Sequence, residues 1–183
     1  VAGNEAQGLS VTSTGSFYQN ANGGPTSKSI NSGFFGFVPS LEWDSYATIG
    51  ALYQDGSPFG SNELNDIGID WSTFEGGGDL SSNNGTWFVT PDQAQGEAIE
   101  HSGLFNEGSN VPFEGYGVLI AQVTVLGGGP DYAGTFSGLL QGKTANGDTW
   151  QEGVNSFEYG GIPAPGALAL LGLAGLAGRR RRH

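Results

Sequence analysis

The side chains that most often carry chemistry are scarce in this chain of 183 residues. There is no cysteine, which excludes a disulfide, a thiol nucleophile and a zinc–thiolate site. The histidines are His101 and His183. A Ser-His-Asp triad would have to use His101, which follows Glu100, but no Gly-x-Ser-x-Gly motif accompanies it. We therefore expect His101 to be an exposed loop residue.

Carboxylates are the one abundant reactive group, with eighteen aspartate and glutamate residues. Two of them could serve as the acid and base of a glycosidase, but among eighteen some pair lies close by chance. The chain contains neither a P-loop nor a Gly-x-Gly-x-x-Gly motif that opens a helix. These patterns indicate a protein that is not an enzyme.

Oxygen-bearing side chains concentrate in one loop-rich third of the chain. Hard cations take several such oxygens at once, which makes four acidic residues candidate calcium ligands: Asp55, Glu63, Asp66 and Asp70. Further oxygen donors in the same third are Asp44, Asn62, Asn65 and Asp79. The spacing of an EF-hand loop is absent, and acidic loops are usually just solvated. Both interpretations stay open: no cofactor, or a bound calcium ion.

The aromatic residues offer a different kind of site. Four tryptophans, Trp43, Trp71, Trp87 and Trp150, could form a platform on which sugar rings stack. The alternative is that they fill the core, because large aromatics dominate burial in small β domains. We expect the core interpretation for most of them. An exposed pair of aromatic rings would favour sugar binding.

The elements that must position these residues are short strands. Glycine accounts for 34 residues, a density typical of all-β proteins with many turns. Short apolar runs between turn residues predict eight strands: Gly15–Asn20, Gly33–Val38, Ser45–Tyr53, Asp66–Trp71, Gly85–Thr90, Tyr116–Leu126, Gly134–Gln141 and Thr149–Tyr159. We predict an all-β fold, with a β-sandwich or jelly-roll-like domain over residues 1–161.

Two dipeptides predict hairpins within this domain. Asn146-Gly147 lies between two predicted strands, and both residues tolerate the positive φ that a type I′ turn requires. Asn84-Gly85 precedes a short apolar run and gives a second candidate. Before Pro163 no stretch reads as a convincing amphipathic helix, although residues 91–101 could hold a turn or two.

Charge is unevenly distributed. The first 178 residues hold all eighteen acidic residues and two basic ones, Lys28 and Lys143, a balance of −16. Nucleic-acid binding requires lysine and arginine to neutralise phosphates, so this body is not expected to bind nucleic acid. Such a balance suits a soluble exported protein. Methionine is absent even at position 1, and we expect that a signal peptide has been removed.

The last 22 residues, 162–183, differ sharply from the rest. A proline stub, Pro163-Ala164-Pro165, is followed by thirteen Gly, Ala and Leu residues and then by four arginines, Arg179, Arg180, Arg181 and Arg182. The apolar run predicts a short helix that would use Leu168, Leu170, Leu171, Leu173 and Leu176 for assembly or membrane contact. Its length, about 20 Å at 1.5 Å per residue, falls short of the ~30 Å hydrocarbon core of a bilayer.

This three-part ending resembles the PEP-CTERM sorting signal of exported bacterial proteins. The resemblance implies export through the inner membrane, transient retention there, and recognition by an exosortase, a membrane transpeptidase. It covers residues 162–182, and Ala164 stands where the family motif has glutamate. It also implies a position at the bacterial cell surface or outside the cell, near secreted polysaccharide.

Two functions follow from these observations. The first is a non-enzymatic structural protein of the surface that packs against copies of itself in a filament, sheath or matrix. The alternative is an adhesin that binds extracellular polysaccharide. The sorting residues would be the same in either case.

Overall fold

The computed structural model describes residues 1–3, 7–105, 112–127 and 133–160. Twelve strands run through these residues: β1 Leu9–Ser13, β2 Ser16–Phe17, β3 Tyr46–Ala47, β4 Asn65–Ile67, β5 Leu80–Ser82, β6 Thr86–Phe88, β7 Ile99–Phe105, β8 Pro112–Gly117, β9 Ala121–Gln122, β10 Val125–Leu126, β11 Ala133–Lys143 and β12 Thr149–Gly160. Helical structure in the same residues is short: the single-turn helix α1, Ser72–Glu75, and 3-10 turns at Ser27–Ser29, Ser32–Phe34, Pro39–Trp43 and Ala94–Gly96. The predicted predominance of β structure is confirmed.

The strands form several small sheets. The largest has four antiparallel strands in the order β12-β11-β1-β5. Four two-stranded pairs accompany it: β10-β2, β3-β9, β4-β6 and β7-β8. Ala2 pairs with both Leu139 and Thr86, so the first residues of the chain bridge β11 and β6.

Most of the apolar side chains meet in one main core. β1 shows why: Leu9 and Val11 alternate with Ser10 and Thr12, and the two apolar residues are buried. The main core comprises Val1, Leu9, Val11, Phe17, Ala47, Leu64, Phe74, Leu80, Trp87 and Phe136. Burying each larger side chain contributes about 1.5–3 kcal/mol. The members come from segments distant in sequence, so the core joins several of the sheets.

A small core supports the segment between residues 30 and 46. Ile30, Leu41 and Tyr46 are fully buried there, with Phe35, Val38 and Tyr53 partly buried against them. The ring of Phe35 meets that of Tyr53 edge-on, with centroids 5.2 Å apart. The predicted strand Gly33–Val38 is wrong, since the chain turns here instead. Its apolar residues follow the three-residue period of a helical turn.

Residues 119–126 change pairing partner half-way. β9 pairs with β3, whereas β10 pairs with β2. At the change, Ser45 Oγ accepts from Thr124 N at 3.0 Å and donates to Thr124 O at 3.3 Å. The prediction of one continuous strand over Tyr116–Leu126 is therefore wrong, because the segment is divided between the end of β8, β9 and β10. A side chain occupies the place where the backbone ladder is interrupted.

Other predicted strands are shorter than expected. Within Ser45–Tyr53 only β3 forms, and Asp66–Trp71 overlaps β4 for two residues before α1 begins. The helix ends where Gly77 adopts a φ of +86° and donates to Phe74 O at 2.9 Å. The hairpin predicted at Asn84-Gly85 is wrong, because β5 pairs with β1 and β6 pairs with β4.

Candidate functional site

The β11–β12 hairpin is the longest element in the described part of the chain. Its pairing begins at Ala133↔Gly160 and continues to Lys143↔Thr149. On the other side of β11, pairing with β1 stops at Ser137 and the contact with Ala2 falls at Leu139. The end of the hairpin therefore extends beyond the rest of the sheet. We call this end, residues 140–152, the hairpin arm.

The turn of the arm differs in detail from the predicted type. Gly147 has a φ of +87°, and no non-glycine residue in the described chain has a positive φ. A type I′ turn would need a positive φ at Asn146 as well. Gly147 N donates to Thr144 O at 2.9 Å, and Thr144 N donates to Asp148 O at 2.8 Å. The predicted hairpin is confirmed, with a different turn.

A bulge interrupts β12 beyond the arm. Gly138 pairs with Val154 and Phe136 pairs with Phe157, so two residues of β12 oppose Ser137 alone. Gln7 crosses to the same place, where its Nε2 donates to Val154 O at 2.5 Å. The regular part of the outer strand is thus bounded by the turn at one end and by the bulge at the other.

The outer side of β12 is an open edge among the described residues, since β12 is the terminal strand of its sheet and no described strand pairs with that side. Alternation fixes which backbone groups face outward. Thr144 N bonds to Asp148 O, so this pair is a hydrogen-bonded one. Because hydrogen-bonded and non-hydrogen-bonded pairs alternate along an antiparallel ladder, the other even-numbered pairs, such as Gly142↔Trp150, are hydrogen-bonded too. Residues Thr149, Gln151 and Gly153 therefore direct their N–H and C=O groups away from β11.

The four predicted platform residues divide into two pairs. Trp87 is fully buried and donates from Nε1 to Thr48 O at 3.0 Å, and Trp71 packs against it with ring centroids 6.2 Å apart. Trp43 is 61% exposed and Trp150 is 46% exposed. The core interpretation is thus correct for two of the four.

Two phenylalanines close to Trp43 in sequence are also exposed. Phe37 N and Val38 N both donate to Phe34 O, at 2.9 and 2.8 Å, which makes residues 34–38 one helical turn. Phe35 and Val38 face the small core. Phe34 and Phe37 are also three residues apart, so they share another side of the turn, where Phe37 is 84% exposed. We call Phe34, Phe37 and Trp43 the exposed aromatic group.

Sequence reasoning missed a buried polar network that joins several loops. Gln95 is almost fully buried. Its Oε1 accepts from Glu63 N at 2.7 Å, and its Nε2 donates to Ile49 O at 2.6 Å and to Asn62 Oδ1 at 3.2 Å. One side chain thereby joins its own loop to two others, at Ile49 and at Asn62-Glu63. No sequence period marks such a residue, because its partners are mostly backbone atoms of distant segments.

The network continues from Asn62 toward the main core. Asn62 Nδ2 donates to Ser27 Oγ at 2.9 Å, and Ser27 Oγ lies 2.8 Å from Thr48 Oγ1. Thr48 Oγ1 is also 2.5 Å from Ala51 O. Each hydroxyl has one proton to donate. Both donors are used when Ser27 Oγ donates to Thr48 Oγ1 and Thr48 Oγ1 donates to Ala51 O. We call Ser27, Thr48, Asn62 and Gln95 the polar network.

Asp44 is a fully buried carboxylate. Its oxygens accept from three backbone groups: Asn20 N at 2.8 Å, Ser45 N at 3.1 Å and Gly24 N at 3.2 Å. Burial raises the pKa of Asp44, because loss of solvent outweighs the hydrogen bonds that favour the charged form. A Cβ on Gly23 would lie 1.8 Å from Asp44 Oδ2, so the turn requires glycine there.

The calcium candidates Asp55, Glu63, Asp66 and Asp70 are all exposed. Three accept hydrogen bonds from close neighbours or nearby loops: Asp55 from Ser57 and Ser32, Asp66 from Trp71, and Asp70 from Ser72. These bonds lower the pKa of Asp55 and that of Asp70. Across the described ranges, no three His, Cys, Asp or Glu side chains are grouped so that they could hold a metal ion. The structure does not bring the four candidates together as a set.

The remaining predicted residues fall in two places. His101 belongs to β7, where its backbone pairs with Gly115 of β8, so its assignment to a loop is wrong. The sorting residues Pro163, Ala164, Pro165 and Arg179–Arg182, and the five leucines of the predicted tail helix, lie outside the described residues. Within the ranges that are described, no helix is long and apolar enough to cross a membrane.

Comparisons with known proteins add no relative. No protein-family profile matches the chain, and neither a curated protein nor a solved structure matches it. The features of this chain that bear on its function are the open edge of β12, the exposed aromatic group and the sequence of the tail.

Proposed function

We propose that this chain is an exported structural protein of a bacterial surface that packs against copies of itself. In this proposal residues 1–161 form a β-sandwich or jelly-roll-like domain that performs the structural role without catalysis. Residues 162–183 form a sorting tail that an exosortase recognises at the membrane. The protein would then remain at the cell surface or in the extracellular matrix.

The observation that carries the proposal is the open edge of β12. Natural proteins usually protect such an edge with lysine, proline or a bulge, because unpaired N–H and C=O groups recruit another strand. Residues 149–153, Thr-Trp-Gln-Glu-Gly, contain neither lysine nor proline and a single charged side chain, Glu152, and the bulge lies beyond them. An edge of this kind suits a protein whose role is to join other strands.

The acidic composition supports the same role. A body with a balance of −16 remains dispersed during export, since like charges repel at long range. Repulsion of this kind is screened over about 8 Å at physiological ionic strength. Charges on the two bodies that lie farther apart than this therefore do not oppose a local strand contact at 4.7–4.9 Å once copies are concentrated at a surface.

Intact mass spectrometry and electron microscopy on protein taken from the native cell surface would test the proposal. We expect ordered assemblies, and a mass that reports whether residues 162–183 remain attached. If the protein at the cell surface is found only as monomers, with no ordered assemblies, the structural role would be overturned. A chain found only in the cytoplasm would overturn the proposed export.

The exposed aromatic group favours the second candidate function, binding of extracellular polysaccharide. Aromatic faces stack against the apolar faces of sugar rings. Glu42, the sequence neighbour of Trp43, is also exposed, and its carboxylate can accept hydrogen bonds from sugar hydroxyls. We expect the Phe37→Ala and Trp43→Ala variants to lose retention on an immobilised neutral glucan in affinity electrophoresis. Trp150→Ala is the control from the hairpin arm, and equal retention of all variants would exclude this group as the sugar site.

A further inference from the structure

The open edge of β12 has limits that define one short pairing surface. The turn at residues 144–148 ends it on one side. On the other side, Gln7 bonds to Val154 O and the bulge follows. Between these limits lie Thr149–Gly153, which we call the edge segment. Its side chains are exposed, and no described strand pairs with its outer side.

We propose that the edge segment pairs antiparallel with the edge segment of a second copy, about a two-fold axis at Gln151. This inference rests on the proposed self-association and names the contact that produces it. Thr149 of each copy would then pair with Gly153 of the other, and Gln151 would pair with itself. The result is one continuous sheet through both molecules.

Hydrogen-bond geometry limits the registers that are available. Outward groups belong to Thr149, Gln151 and Gly153, so these residues must face one another in hydrogen-bonded pairs. An axis at Gln151 uses all three residues of each copy. An axis at Trp150 or at Glu152 uses only two. The proposed register therefore makes the most backbone bonds that the edge segment allows.

Charge selects the same register. An axis at Glu152 would place two glutamates directly opposite each other, which is destabilising. An axis at Gln151 places Glu152 opposite Trp150 of the second copy instead. The two Gln151 amides meet at the axis, where each can donate to the oxygen of the other. Gly153 has no side chain of its own, and the side chain of Gln7 lies over it on the face where Thr149 of the second copy would project.

The sheet faces are consistent with such a contact. Trp150 lies over Gly142, where an added Cβ would fall 2.9 Å from the indole ring. The ring is half exposed on the face whose inner part packs against the main core through Leu140 and Val154. Pairing at the edge would cover part of this ring. A contact between identical patches closes on itself, so it yields a dimer, and growth into a filament requires a second surface.

Cysteine cross-linking tests the axis directly, because the chain contains no cysteine of its own. In the Gln151→Cys variant the two thiols would lie on strands whose Cα atoms are ~5.5 Å apart, within the range of a disulfide. Ser81→Cys is the matched control. Ser81 is exposed on β5, the opposite edge of the same sheet, and its backbone groups also face outward.

We expect mild oxidation of the full chain to produce Gln151→Cys dimers at least about tenfold faster than Ser81→Cys dimers. In sedimentation velocity at pH 7, the Gln151→Glu variant should show a dimer dissociation constant about tenfold higher than wild type, since two charges would meet at the axis. The difference should shrink at high salt.

Two results would overturn the inference, and they are distinguishable. Assemblies that form while Gln151→Cys cross-links no faster than Ser81→Cys would exclude this axis and leave the proposed structural function intact. Absence of any self-association by wild-type protein, up to millimolar concentration and at the cell surface, would overturn both.

Discussion

Two strands of this protein each carry a tryptophan, and the two side chains differ in burial. Trp87, in β6, is fully buried, and its Nε1 bonds to the backbone of a distant segment. Trp150, in β12, stands half exposed on the hairpin arm over Gly142. Trp87 is covered by Trp71 and the rest of the main core, whereas nothing in the described chain covers the outer part of Trp150.

The same contrast applies to hydrogen bonds. Around Trp87, side chains of the polar network satisfy the backbone groups of loops far apart in sequence. In the arm, the regular bonds join β11 to β12, its neighbour in sequence, and the outer groups of β12 face away. The buried region therefore directs its bonding capacity inward, and the arm retains capacity for a partner.

The largest expected effect is on the buried tryptophan. Trp87→Ala should lower the free energy of unfolding by about 3–5 kcal/mol, because it leaves a cavity and removes a donor to Thr48 O. Trp150→Ala should cost less than about 1 kcal/mol, as expected for a partly exposed site. Urea unfolding followed by circular dichroism would measure both. Equal losses would contradict the difference between the two regions.

Two glutamines provide a smaller and sharper comparison. Gln95→Leu leaves Glu63 N and Ile49 O without their partner in the interior, at a cost of about 2 kcal/mol or more. Gln151→Leu replaces an exposed side chain and should change stability by less than ~0.5 kcal/mol. The same unfolding measurement applies, made at a protein concentration where both variants are monomeric. A stable Gln95→Leu variant would show that the polar network is dispensable.

The smallest expected effect is a change in pH dependence. The raised pKa of Asp44 means that the folded state binds a proton more readily than the unfolded state, whose ordinary value is near 3.8. Asp44 therefore contributes most to stability below that value, and the contribution declines as pH rises through the folded pKa.

Measuring the free energy of unfolding as a function of pH would detect this contribution of Asp44. The difference in free energy of unfolding between wild type and Asp44→Asn should decrease from pH 4 toward neutral pH. Its slope against pH should correspond to a difference of less than one bound proton. Asp55→Asn is the control, because hydrogen bonds lower the pKa of that exposed carboxylate, and its difference should change in the opposite direction. A flat difference for Asp44→Asn would contradict the raised pKa.

The hairpin could be predicted because its determinants are local. The alternating runs around Asn146-Gly147 are adjacent in sequence, and a short turn brings them into register. The predicted strands Gly134–Gln141 and Thr149–Tyr159 agree with β11 and β12 within two residues at each end. The exposed position of Trp150 was not evident, since an indole in a strand is usually interpreted as a core residue.

Other elements had a signal that was weaker or ambiguous. The alternation Leu-Ser-Val-Thr-Ser of β1 is a clear two-residue period that our prediction missed. Residues 33–38 contain enough phenylalanine to resemble a strand, but Phe35 and Val38 reach the small core through a helical turn. Composition alone does not distinguish these two periods in a run of six residues.

The amino-acid sequence alone is sufficient to predict the predominance of β structure, the acidic body, the absence of thiol chemistry and the β11–β12 hairpin. Each of these depends on composition or on residues close together in the chain. The tertiary structure decided which tryptophans are buried, where residues 119–126 change partner, and which distant backbone groups the polar network satisfies. Within the part of the chain that the structure describes, it also leaves the outer edge of β12 unpaired. These features depend on which segments far apart in sequence are brought into contact, because the strands and turns involved are too short to specify their own partners.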